Sequence, residues 1–277
     1  MRQQVIIVTY NQCELLKKCL DSILNNEFRP ELITVIDDAS TDDTRDLLSD
    51  YKIEFGEIIQ LHFNKINLGV FENINFARTF ACLDIIHLIG GDDYFNPNFF
   101  KEVDGAVSNF RENLENKNFM VATSFYYEDN NKLRLEKKSK IKDNYCYSFN
   151  DVVFDRIRHR NLGLSLEYFK KMPISPFKDY PWFDLYCYYQ HAMGLEYVVP
   201  CSQASSVYKL GVGITSKLPK SFIWASKTLA LMKFFLDFFD QVSLKIKIKL
   251  LFDALISIAI SIIHLFREKV ISRIRRA

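Results

Sequence analysis

Ile85-Ile86-His87-Leu88-Ile89-Gly90-Gly91-Asp92-Asp93 is the stretch on which the fold turns. A short apolar run rich in β-branched residues reads as a buried strand. Two glycines then open the backbone, and two carboxylates stand at the carboxyl end. The same arrangement occurs twice upstream. Residues 5–9 form an apolar run leading into Tyr10-Asn11, and residues 32–36 form another leading into Asp37-Asp38. Residues 58–63 supply a further strand. Between these runs lie helical patterns. Residues 14–24 place Leu16, Cys19, Leu20 and Ile23 on one face. Residues 41–48 start after Ser40 or Thr41 as cap, and residues 72–83 follow. Strands alternating with helices predict an α/β fold with a mainly parallel sheet covered on both faces. In such sheets ligands sit at the carboxyl ends of the strands, where all three polar clusters fall.

The rest of the chain is less regular. Residues 119–128 and 132–135 read as a hairpin around Asn130-Asn131. Residues 136–150 are polar and basic and read as a loop. Residues 183–193 are helical and end at Gly194. Two short strands are expected at 195–199 and 204–208, then a loop at 209–217 holding Gly211 and Gly213. From Lys220 onward the pattern is helical and strongly apolar.

The chain has 277 residues, 48% hydrophobic and 25% charged, with 9 Gly and 7 Pro, which excludes a disordered or collagen-like protein. Its six cysteines form no C-x-x-C pair and its histidines no cluster, so a zinc site is not expected. They read as small core residues of a reduced compartment, and the N-terminus shows no secretory leader pattern. The net charge of +2 conceals a division. Residues 244–277 carry 8 Lys/Arg against 2 Asp/Glu, a balance of +6, which leaves 28 against 32, or −4, for residues 1–243.

Paired carboxylates beside glycines suit a hard divalent cation and its phosphate ligand. Each pair also has an ordinary structural reading, because acids cap helices and shape turns. Asp37 is equally well read as a turn acid, and a solvated helix face is the simpler home for Arg78.

The motifs Val5-Ile6-Ile7-Val8-Thr9-Tyr10-Asn11, Val35-Ile36-Asp37-Asp38-Ala39-Ser40-Thr41-Asp42, Asn67-Leu68-Gly69 and Gly91-Asp92-Asp93 together resemble the family-2 inverting glycosyltransferases, in order and spacing. The resemblance covers residues 4–100 and returns near 180–216. It implies a GT-A fold and a metal-dependent transfer from a nucleotide-sugar donor, with Mn²⁺ or Mg²⁺ as cofactor. By the same resemblance Thr9 and Tyr10 line the base pocket, Asp38 accepts a hydrogen bond from the base, Asp92 holds the ribose and Asp93 binds the metal. An inverting transfer needs a base for the acceptor hydroxyl. In Lys178-Asp179-Tyr180-Pro181-Trp182-Phe183-Asp184 two aspartates compete. Asp179 matches the family's local pattern, and Asp184 better fits the distance to Gly194. Near Tyr208-Lys209 the family's Arg is replaced by Lys and a later His is missing. Lys209 still offers a point charge to phosphate.

In the tail, Lys249, Asp253, Ser257, Ser261, His264 and Glu268 share one helical arc, leaving a broad face of Leu, Ile, Ala and Phe. Lysines precede this stretch and arginines follow it. That pattern fits a helix lying in an anionic membrane interface, and packing on the protein is the alternative. The 17 residues 250–266 include Asp253 and are short for a span. No aromatic–basic interleaving suggests nucleic acid. The expected organisation is a GT-A domain at 1–217 and a helical, amphipathic extension at 218–277. The expected role is sugar transfer to a lipid-linked saccharide acceptor in surface polysaccharide assembly, with the enzyme cytoplasmic and peripheral on the inner face of the cell membrane. The alternative is a non-catalytic nucleotide-sugar-binding or scaffold member docked there.

Overall fold

The computed structural model describes residues 1–136, 151, 153–154, 163–171, 189–190, 192–212 and 218–274. The first half alternates as expected: β1 (Gln3–Thr9), α1 (Cys13–Leu24), β2 (Leu32–Asp37), α2 (Thr44–Phe55), β3 (Ile59–Phe63), α3 (Val70–Phe80) and β4 (Ile85–Gly90). The four strands are parallel, in the order β3-β2-β1-β4. β1 is central, pairing Thr9 with Asp37 on one side and Val8 with Gly90 on the other. Its side chains are almost all buried, as a strand covered on both faces requires. α1 turns Leu16, Cys19, Leu20, Ile23 and Leu24 inward.

α2 begins three residues later than the Thr41 start read from the sequence. The Ser40 amide is held by the Asp37 carboxylate, at 3.2 Å to Oδ2, and the Thr41 amide donates to Asn11 Oδ1 at 2.7 Å. Those amides serve a turn and are lost to a helix. α3 shifts the other way: it starts at Val70, directly after Gly69 and two residues before the expected start at 72, and ends at Phe80.

β5 (Tyr94–Phe95), α4 (Phe99–Asn109), α5 (Arg111–Leu114), β6 (Phe119–Asp129), β7 (Lys132–Leu135), β8 (Gly163–Ser165), α6 (Leu166–Lys171) and β9 (Tyr197–Lys209) complete the sheet. Its order is β3-β2-β1-β4-β8-β6-β9-β5, with β7 on β6. β8 runs antiparallel to β4 and β6, whereas β6 and β9 are parallel. Gly163 is needed in β8, since a Cβ there would lie 2.9 Å from Ile85 Cγ2 and 3.0 Å from His87 Cε1. The β6–β7 hairpin turns on Asn130 and Asn131, both at positive φ (48° and 59°), as a tight primed turn demands. The two short strands expected at 195–208 are one strand, β9, whose register against β6 shifts between Thr123 and Ser124. His87 is wholly buried among Phe95, Phe99 and Phe100, and desolvation pushes its pKa down to about 3, so it is a neutral core residue.

The chain divides into two compact units: Met1–Met172 with Gly194–Gly211, and Pro173–Met193 with Val212–Ala277. The first holds the sheet. In the second, α7 (Lys220–Asp237) and α8 (Leu244–Ile274) pack as a helical hairpin around the short turn Phe239–Gln241. Residues 137–150 of the expected loop at 136–150 and residues 183–188 of the expected helix at 183–193 lie outside the described residues.

Candidate active site

The sheet brings three predicted clusters to one rim. The Asp38 amide donates to Thr9 O at 2.9 Å, and the Gly91 amide donates to Val8 O at 3.0 Å. The β1 turn therefore lies between the two acid turns, which stand two strand spacings apart, about 10 Å. Gly91 is required by this closeness. A Cβ there would come within 2.7 Å of Thr9 Oγ1 and 3.1 Å of Gln12 Oε1. Thr9 is 2% exposed, while the neighbouring Tyr10 is 44% exposed. Thr9 thus shapes the turn and Tyr10 presents a surface.

The tips of the β1 and β2 turns are stitched together. The Asn11 amide donates to Ser40 Oγ at 2.8 Å, in return for the Asn11–Thr41 bond. Asn11 and Ala39 both sit at positive φ (50° and 63°). Asn tolerates that region, whereas Ala holds it at a cost of about 1–2 kcal/mol. Asp37 is fully buried and does the work of a turn acid. Besides the Ser40 amide it accepts Arg45 Nε at 2.7 Å, and Arg45 also donates to Asn64 O at 2.8 Å.

Asp38 is 3% exposed, and its carboxylate accepts Asn64 Nδ2 at 2.9 Å, Leu68 N at 2.8 Å and Gly69 N at 2.9 Å. Asn73 closes the ring by accepting from Asn64 at 2.7 Å and donating to Gly69 O at 2.9 Å. Burial alone would raise the Asp38 pKa. The bonds from Leu68, Asn73, Asn64 and Gly69 outweigh it and hold the carboxyl below its usual 3.8. The 64–69 loop is therefore moulded on Asp38. Asn67 contributes a 3.3 Å bond to Asp38 O, and Asn75 is exposed.

At the β4 end, Asp92 Oδ1 folds against Gly90, where a Cβ would be only 2.6 Å away. Asp93 is buried, and its Oδ1 accepts the Lys209 amide at 3.4 Å. The pairing of β5 with β9, Tyr94 opposite Val207, delivers Lys209 to that point. Beside it, Lys18 donates to both oxygens of buried Glu128 at 3.1 Å and lies 3.8 Å from the centre of the Tyr94 ring. This α1–β5–β6 cluster has no sequence signature, because its members are far apart in the chain.

Among the described residues no three His, Cys, Asp or Glu side chains converge on a metal position. One or two carboxylates are nonetheless enough for Mg²⁺ or Mn²⁺ when substrate phosphates and water complete the shell. The carboxylate of Asp93, at the end of β4 on the rim, is of the chemistry that would hold the implied ion. Asp179 and Asp184 lie outside the described residues. Arg78 does not lie on the solvated face expected of it: on α3 it is half-buried, with Nε and Nη2 out of solvent.

Residues 4–163 match the sequence profile described as "Glycosyl transferase family 2". An uncharacterized glycosyltransferase of Mycoplasma genitalium is 37% identical over 103 residues, which cover 36% of this chain and 34% of that protein. A poly(ribitol-phosphate) beta-glucosyltransferase of Bacillus spizizenii is 30% identical over 96 residues, covering 34% of this chain and 15% of that protein. The chain thus aligns with about a third or less of the curated relatives' length. Among solved structures, S. aureus TarS in complex with UDP-GlcNAc superposes with a TM-score of 0.63 at 14% identity, covering 84% of this chain and 66% of that one. A mannosyltransferase from Pyrobaculum calidifontis, in complex with GDP-Man and Mn²⁺, superposes with a TM-score of 0.60 at 16% identity, covering 97% and 75%. At these identities the likeness establishes the fold.

Proposed function

The chain belongs to glycosyl transferase family 2, and from that premise we propose that it moves a sugar, with inversion, from a uridine diphosphate donor to a lipid-linked saccharide. The observation that carries this reading is the single rim on which Tyr10, Asp38 and the Asp92-Asp93 pair stand around β1. Tyr10 gives the base a ring to stack on. Asp38 accepts a hydrogen bond from the base, and the bonds that hold its charge also fix the 64–69 loop beside it. Asp92 takes the ribose hydroxyls. Asp93, placed by the Lys209 amide, would hold the divalent cation, which would supply Lewis-acid neutralisation of the diphosphate. The Lys209 ammonium adds a point charge for the same leaving group. Asp184, or Asp179 in its place, takes the proton of the acceptor hydroxyl as its oxygen bonds to C1 of the sugar. The C1–oxygen bond to the diphosphate breaks in the same step, and the nucleoside diphosphate leaves with that electron pair. Neighbours with this fold that are seen with UDP-GlcNAc, or with GDP-Man and Mn²⁺, support the donor class and the ion.

The setting is polysaccharide assembly at the inner face of the cell membrane, with the C-terminal helix on an anionic surface. The +6 balance of residues 244–277 supports that placement. No helix among the described residues is long and apolar enough to cross a membrane. A panel of nucleotide sugars assayed for slow hydrolysis with Mn²⁺ tests the donor. Release of UDP from one uridine donor, lost in Asp93→Ala, supports the reading. No hydrolysis of any donor, together with no UDP binding, overturns it.

A further inference from the structure

The sequence suggests that α8 is a single amphipathic helix with a polar arc and an apolar face. The structure shows where that polar arc goes. Ser257 is buried, Ser261 Oγ donates to Ser221 O on α7 at 2.8 Å, and the Ser221 amide donates to Glu268 Oε1 at 3.2 Å. The Ser221 hydroxyl also bonds Glu268. Glu268 thereby satisfies an amide in the first turn of α7, one of the donors a helix start leaves orphaned. In the other half of α8 the inward line is Ile246, Leu250 and Ala254. The seam between the two helices is therefore half polar.

The outside is the reverse. Ile248, Phe252, Leu255, Ile262 and Phe266 of α8 are exposed, Phe266 at 66%. With 3.6 residues per turn, the exposed large apolar residues of α8 sweep about half its circumference. A helix–helix contact uses a narrower stripe of the coiled-coil kind. α7 adds an exposed line of its own, Phe222, Leu229 and Leu236, spaced seven apart, with Leu236 at 67%. A hairpin made for water hides such residues and displays its serines and glutamate. The charges show what the surface meets. Residues 250–266 contain no Lys or Arg, whereas Lys245, Lys247 and Lys249 precede them and Arg267, Lys269 and Arg273 follow. An apolar face bracketed at both ends by cations fits a helix lying along the acyl boundary, with its ends on anionic headgroups.

We propose that the whole hairpin, α7 together with α8, is the element that enters the interface of an anionic bilayer, held together by its Ser221–Ser261–Glu268 seam. The inference rests on the membrane placement proposed above and extends it to α7. The test uses the full-length chain with phosphatidylcholine vesicles, with and without phosphatidylglycerol, in a flotation assay. Three variants carry aspartates at exposed positions, and circular dichroism checks their folding. They are L229D/L236D on α7, L255D/I262D on α8, and I53D on α2, where Ile53 is exposed in the sheet-bearing unit. The expected result is that wild type floats with the anionic vesicles and that each hairpin variant loses about tenfold or more in partition, while I53D stays within about twofold. If only L255D/I262D weakens binding, the hairpin inference fails and the single-helix placement survives. If neither weakens it, or wild type never floats, both fail. Conversion of a wild-type dimer to monomer by the hairpin variants, without vesicle binding, assigns the surface to a second copy and also overturns the proposal.

Discussion

Replacing Asp38 by Asn tests the local architecture of the rim most sharply. The buried carboxylate accepts three bonds, two of them from the backbone amides of Leu68 and Gly69. Asn retains one acceptor oxygen and turns an NH₂ toward one of those donors. One bond is lost with a buried donor left unpaired, at about 1–3 kcal/mol, and the other two drop from charge-assisted to neutral strength, about 1 kcal/mol each. The sum is roughly 3–5 kcal/mol, felt where the 64–69 loop is anchored. At about 1.4 kcal/mol per decade, even the lower figure weakens amide protection about 100-fold. Hydrogen exchange read by NMR on Leu68 and Gly69 measures this directly, with the Ile7 and Val35 amides of the central strands as internal controls. Protection at Leu68 and Gly69 should collapse while the strand amides change little. Protection of both loop amides staying within about threefold of wild type would show that Asp38 does not anchor the loop, and the reasoning would be refuted.

Other outcomes follow from the same geometry. Gly91→Ala forces a methyl to within 2.7 Å of Thr9 Oγ1, and thermal unfolding should show about 1–3 kcal/mol of destabilisation; an unchanged Tm contradicts the close approach. Because the Asp38 pKa is depressed, its anchoring is complete above pH 3.8 and is lost only as pH falls through the lowered value. The Leu68 and Gly69 amide shifts should therefore inflect below pH 3.8, and an inflection above that value is inconsistent with three bonds to the charged form. Asp184→Asn and Asp179→Asn, compared for turnover at saturating donor, should separate the base from its neighbour by about 100-fold or more in kcat. Equal, small effects in both remove the base from this segment.

Much of the rim was readable from the sequence because each part is local. A buried strand followed at once by an acid pair needs only a period and a terminator, so β1, β2 and β4 and their acids emerge from short runs. What escaped depends on contacts between distant runs. The start of α2 moved because Asn11, thirty residues upstream, captures the Thr41 amide. Asn64 was missed as a partner of Asp38, and Asn73 as the residue that braces Asn64 and Gly69, although each carries a faint signal: Asn64 follows a strand end like the acids, and Asn73 lies one helical turn after Gly69. The Lys18–Glu128–Tyr94 cluster has no such signal. The single long β9 looked like two strands because the shift in its pairing with β6 interrupts the alternation. The polar arc of α8 was legible as an arc, but periodicity alone does not say whether its partner is water or a helix.

The central claim, that this rim binds a nucleotide diphosphate through a divalent ion on Asp93, is most directly tested by calorimetric titration of UDP into the wild-type chain and Asp93→Ala, each with and without Mn²⁺. Binding to wild type that strengthens about tenfold or more with Mn²⁺, and an Asp93→Ala variant that gains nothing from the ion, is the predicted result. Equal UDP binding in both proteins, indifferent to Mn²⁺, contradicts it.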